Sequence, residues 1–194
     1  MSKSLSTYSA WVIALLAGGA AWYLIRRSKQ SNPPSLINNE NTNSSMKNYF
    51  GNSEFINSAK AKQLGLDNTP DDATWAKLFA LRDNILNPAR ATLGYPIYIN
   101  SGYRSPYLNS LVGGASNSQH VTGEAVDITT KDRSLNRTLF EILVRLGNFD
   151  QLIWEKGGEW IHVSFRANGG RGQMLSYNGS SYTNINNNWQ TAIA

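Results

Sequence analysis

Residues 149–165 read FDQLIWEKGGEWIHVSF. Two runs rich in Ile, Leu, Val and aromatic residues flank Gly157-Gly158, which predicts strands over Gln151–Glu155 and Trp160–Phe165 joined as a hairpin. Working upstream, Asp132 or Ser134 caps a helix in which Leu135, Leu139, Ile142, Leu143 and Leu146 keep the 3.6-residue period, and Gly147 closes it. Glu124–Thr129 and Pro96–Asn100 read as further strands, the second with Ile97 and Ile99 on one side. Thr69-Pro70-Asp71-Asp72 is a helix start, with a hydroxyl cap, Pro at the first helical position and acids in the first turn. Trp75, Leu78, Ile85 and Leu86 continue that helix on one face until Pro88 disturbs its end. Downstream, Asn178-Gly179 centres a polar hairpin within Gln173–Ile185. Helices come first, then a small, mostly antiparallel sheet with one inserted helix, so the expected class is α+β.

The whole chain has 194 residues, a net charge of +5 and no cysteine. That length suits one domain with an appendage. Lacking cysteine, it has no disulfide scaffold, Cys-ligated zinc site, iron–sulfur cluster or cysteine nucleophile. Of the +5, +3 belongs to residues 1–46, where Lys3, Arg26, Arg27 and Lys29 face Glu40. The remainder is close to neutral and carries no basic stripe with interleaved aromatics, which excludes nucleic acid as the expected partner.

Chemistry-bearing residues concentrate in three segments. SQHVTGEAVD, residues 118–127, places His120 and Asp127 seven residues apart across a glycine. EWIH, residues 159–162, adds His162, and the chain has only these two histidines. Two imidazole nitrogens and one carboxylate oxygen make a three-ligand zinc set with the fourth position open to water. There is no HExxH helix motif, so a helix-borne zincin site is excluded. In INSGYRS, residues 99–105, Arg104 follows a strand and a glycine turn, where it could clamp a carboxylate or stabilise an oxyanion.

SGYRSPYLN, GGASNSQHVTGEAVDI, FDQLIWE and WIHVSF together resemble the zinc D-alanyl-D-alanine carboxypeptidase family, in its phage and bacterial murein-hydrolase branch. The resemblance runs from about Phe55 to Arg166. It implies a hedgehog/D-Ala-D-Ala peptidase-like fold, a Zn2+ cofactor on His120, Asp127 and His162, and Arg104 on the substrate or the tetrahedral intermediate. Tyr103 and Ser118 complete the expected substrate-binding set with Arg104. It also leaves two candidates for the general base. Glu159 stands three residues before the last His, as in several branches, and Glu155 closes the QLIWE segment, as in the branch most resembled. Strand parity adds a physical criterion. A two-residue turn at Gly157-Gly158 sets Glu155 opposite Trp160, whose side chain shares a face with His162, whereas Glu159 would face away unless a bulge turned it.

TYSAWVIALLAGGAAWYLI, residues 7–25, carries no charge over 19 residues, which at 1.5 Å each is roughly the thickness of a bilayer's hydrocarbon core. Tyr8, Trp11, Trp22 and Tyr23 sit near its ends, and Arg26, Arg27 and Lys29 follow. A cleaved signal peptide and a buried core helix are the competing readings. The apolar run continues past the small residues 17–21, which favours a retained anchor. The expected organisation is therefore a membrane anchor at 1–29, an Asn/Ser/Pro tether at 30–46 and a zinc peptidase domain at 47–194. The positive flank leans towards a cytoplasmic domain, opposite to the compartment of a cell-wall substrate. A lytic enzyme carried in the inner membrane of a phage particle, among other virion proteins, removes that conflict.

The sequence thus leads to a single-pass, membrane-anchored zinc peptidase that acts on peptidoglycan stem peptides as a D,D-carboxypeptidase or endopeptidase. The competing class is a non-catalytic cell-wall-binding or structural virion membrane protein built on the same fold.

Overall fold

The computed structural model describes residues 47–194. The anchor and tether expected at 1–46 lie outside the described residues, and no helix among those described is long and apolar enough to cross a membrane. Two short helices, α1 (Asn52–Ile56) and α2 (Ala59–Leu64), precede α3 (Asp72–Leu81). The α3 cap is Asp71, whose carboxylate accepts from the Thr74 N–H, and not Thr69 as the sequence suggests. A carboxylate adds favourable charge at the positive helix end, which a hydroxyl does not.

Pro88 does not end this helical run. A π-helical turn at Arg82–Leu86 leads directly into α4 (Asn87–Leu93). The wider turn places Pro88 in the first turn of the new segment, where its missing N–H costs least. β1 (Tyr98–Ser101), α5 (Pro106–Leu111), β2 (Ala125–Thr129) and α6 (Arg133–Leu146) follow. Asp132 caps α6, accepting from the N–H groups of Ser134 and Leu135. The chain ends with β3 (Gln151–Glu155), β4 (Trp160–Ser164), β5 (Gln173–Tyr177), β6 (Tyr182–Asn184) and α7 (Trp189–Ala192).

The six strands form one sheet in the order β1-β2-β4-β3-β5-β6. Every pairing is antiparallel except β3 with β5, which is parallel. One face of the sheet packs against the helices through Val126, Ile128, Leu152, Trp154, Ile161 and Val163, which meet Leu78, Leu81, Leu86, Leu139, Phe140 and Leu143. Each such fully buried side chain contributes roughly 1.5–3 kcal/mol. Period-two alternation then obliges Asp127, His162, Ile153 and Glu155 to project from the other face. The expected α+β class, with a small sheet and flanking helices, is the one observed.

A candidate metal centre in a charged cleft

Register brings the site together. Asp127 on β2 lies directly opposite His162 on β4, and His162 is opposite Ile153 on β3. A bulge at Asn100 shifts β1 so that Ser101 faces Asp127. His120 arrives from the loop before β2. Its position is fixed by a turn in which Gly123 adopts φ +71°, with space for no side chain because a Cβ would come 2.6 Å from Thr74 Cγ2.

His120 Nε2 lies 3.2 Å from Asp127 Oδ1 and 3.3 Å from His162 Nδ1, and His162 Nδ1 lies 3.0 Å from the same Oδ1. The edge of a tetrahedron of ligands around zinc, with bonds of about 2.0–2.1 Å, is roughly 3.3–3.4 Å. Protonation favours the same occupant. His120 Nδ1 is 2.8 Å from the Gly102 carbonyl and so carries the ring proton in the neutral imidazole, leaving Nε2 a bare lone pair against a carboxylate. A cation relieves that contact between two acceptors. His162 Nε2 is buried with no hydrogen-bond partner among the described residues, a loss of about 1–3 kcal/mol that ligation through Nδ1 offsets. Burial alone would push the Asp127 carboxyl up, but the His120 and His162 imidazoles against it outweigh burial and hold the group well below the usual carboxylate range. The residues present fit a zinc ion.

Glu155 is buried two positions along β3 from Ile153, on the same face as His162. Burial, and next the negative charge of Asp127, push its carboxyl up to about 7, against opposing effects of His162 and Lys156. The hairpin turn is longer than the two residues expected. Lys156 to Glu159 form it, and Glu155 still pairs with Trp160. Asn136 of α6, itself buried, donates to the carbonyls of Gly158 and Glu159 and fixes the turn. Glu159 consequently points to solvent and pairs with Arg133 at 2.9 Å, so the structure does not bring it to the histidines.

His120, His162 and Glu155 line a cleft of about 600 Å³ together with Ser118, Gln119, Arg166, Arg171 and Tyr182. Two expected substrate contacts are not on its walls. Tyr103 is packed against the core, and burial followed by the charges of Asp71 and Asp67 raises its phenol pKa. Arg104 Nη1 donates to Ser101 Oγ at 2.8 Å and lies 3.9 Å from Asp127 Oδ2, with Nε held by Asn109. It therefore stands behind the carboxylate ligand. Gly102 lets this segment lie against the Phe55 backbone, because a Cβ there would overlap the Phe55 carbonyl. Sequence reasoning missed Arg171 and Tyr182, which reach the cleft only through the parallel β3–β5 pairing and the β5–β6 hairpin.

Two imidazoles, a carboxylate and a buried glutamate at an open cleft define the working parts of a metallopeptidase. A family model described as Peptidase M15 matches residues 48–164, well over half of the chain, and the chain belongs to that family. No curated protein matches the sequence. Family membership carries zinc dependence and, at a coarse level, peptidoglycan as substrate.

Proposed function

We propose that the protein hydrolyses a peptide bond in peptidoglycan stem peptides, as a D,D-carboxypeptidase or endopeptidase, with His120, Asp127 and His162 holding zinc and Glu155 as the general base. The observation that carries this reading is a trio of ligand atoms 3.0–3.3 Å apart with a buried carboxylate on the same sheet face. A bound zinc ion supplies Lewis-acid polarisation and an acidified water at neutral pH. Glu155 takes the proton of the attacking water and returns it to the leaving amine. Burial raises the proton affinity of Glu155 above that of an ordinary carboxylate, which suits a group that must accept a proton and then pass it on. The Gly102 carbonyl fixes the ring of His120 through Nδ1, and the β2–β4 register sets Asp127 and His162 side by side. Arg104 supplies positive charge behind Asp127 and helps to hold that carboxylate in place.

The finer assignment is a phage lytic enzyme whose residues 1–29 anchor it in a membrane through the span at 7–25. It is supported by the uncharged run and its aromatic and basic flanks. Digestion of purified peptidoglycan by the full chain, with zinc or with a chelator, tests the activity. New muropeptides in the zinc sample alone are expected, and their identity names the bond. Absence of new fragments in the zinc-loaded sample overturns the peptidase reading.

A further inference from the structure

The cleft has a basic end that the hydrolytic residues do not use. Asp150 sits there with a fully buried side chain. Arg171 grips it with Nε at 3.1 Å from both oxygens and Nη2 at 2.6 Å from Oδ2, and the Arg171 backbone N–H adds a bond of 3.0 Å. Gln119 Nε2 donates to the same Oδ2 at 2.9 Å, and Arg166 Nε stands 3.7 Å from it. Arg166 also reaches Glu124, which Lys77 already pairs. Three cations thus share two carboxylates, leaving one positive charge in excess at this end.

We propose that Arg171, with Arg166 beside it, is a carboxylate-recognition subsite that takes a free carboxylate of the peptide substrate and so selects which stem peptides are cut; this rests on the peptidase reading above. No described residue accepts a hydrogen bond from Arg171 Nη1, although Nε and Nη2 are fixed. The guanidinium is therefore oriented in advance, and a carboxylate meets it without the usual cost of ordering a long side chain. Both arginines are about half exposed and line the cleft with His120 and His162. Glu155 lies at the far end of β3 from Gln151, beside which Arg171 stands, so a carboxylate on the arginines lays the peptide along β3 towards the histidines. Between the ends the floor is Ile153 and Leu175, neighbours across β3 and β5, bordered by the Gln151–Gln173 amide pair. Arg166 and Arg171 follow residue 164, where the family match stops, while Asp150 and Gln119 lie within it.

The competing role for Arg171 is purely structural, a clasp between β3 and β5. Steady-state kinetics of the zinc-loaded full chain separate the two. The substrates are a stem pentapeptide with a free C-terminal carboxylate, its C-terminal amide, and a form amidated at its acidic side chain. Arg171→Gln should raise KM for the free peptide about 10-fold or more, with kcat within about twofold, and Arg166→Gln should raise it less. Whichever amidation raises the wild-type KM and makes it insensitive to Arg171→Gln identifies the carboxylate recognised, terminal or side-chain. Equal losses on all three peptides, or none on any, overturn the proposal. Should Arg171→Gln fail to fold, Arg166→Gln carries the same comparison, because it leaves the Asp150–Arg171 pair in place. Turnover of none of the peptides by the wild type, together with no new fragments from purified peptidoglycan, sinks the peptidase reading instead. Calorimetric titration of the same peptides then decides the subsite, supporting it if Arg171→Gln removes a preference for the free carboxylate and overturning it if wild type shows no preference.

Discussion

Glu155 and Glu159 are four residues apart and live in opposite surroundings, one buried beside the histidines and one paired with Arg133 in solvent. Glu155→Gln should lower kcat/KM by about 10²–10⁴-fold, the usual worth of a positioned general base, while Glu159→Gln should leave it within about twofold. Equal, full activity of both variants would sink the mechanism. The pH dependence has a definite sign. Glu155 must be ionised to accept a proton, so activity falls as pH drops through its pKa. In zinc-free protein the carboxyl should titrate near 7, as followed by NMR of the side-chain carbon. Zinc on the neighbouring ligands favours the ionised form, so the acid limb of kcat/KM in loaded enzyme should lie below that value. The His120–Asp127–His162 cluster was legible in the sequence because a chain with two histidines and no cysteine has few ways to build a zinc set. The face of Glu155 was legible from parity, since turn length does not alter side-chain alternation within a strand. Arg171 was not legible, because its partner Asp150 lies 21 residues away and the two meet only across a parallel pairing with no local signature.

At the scale of elements, the strands and the long helix could be read directly from period and caps, and the misreadings occurred at their joints. Thr69 resembles a cap, but Asp71 two residues later competes with it and wins on charge. Pro88 resembles a stop, yet a π-helical turn absorbs it. The joint with the clearest energetic consequence is Asp150, immediately before β3, which accepts from Arg171 and Gln119 while its backbone carbonyl accepts from the Gln173 N–H of β5. Burial opposes ionisation of Asp150, but hydrogen bonds from Arg171 and Gln119 more than compensate and hold its pKa at about 2. A carboxyl depressed in the folded state gives stability that is complete above its unfolded pKa and disappears as pH falls through the folded one. The window here runs from roughly pH 4 down to pH 2, and the loss is about 2 kcal/mol. Urea unfolding at pH 5 and pH 2 should show a loss of that size attributable to this group, absent in Asp150→Asn. An unchanged pH dependence in the variant would mean that the β3–β5 joint draws no stability from the charge.

For the molecule as a whole, the three residues of the candidate metal centre come from a loop, β2 and β4, so a bound ion would tie the loop to the two strands that the sheet already joins. Binding to the folded chain and not to the unfolded one stabilises by mass action, about 4 kcal/mol when free zinc is a thousandfold above Kd. For a domain of this size that corresponds to roughly 8–16 °C in Tm, at about 2–4 °C per kcal/mol. Calorimetry of the full chain should therefore show a higher Tm with zinc than with a chelator, and Asp127→Asn should abolish most of the difference. This variant also discriminates between ligation and charge relief. A cation bound loosely to the surface acids would stabilise the variant nearly as well as the wild type, whereas a trio that needs the Asp127 oxygen would not. Identical melting of wild type with and without zinc would show that the His120–Asp127–His162 cluster is held by hydrogen bonds alone, and would remove the chemical basis for peptide hydrolysis at this site.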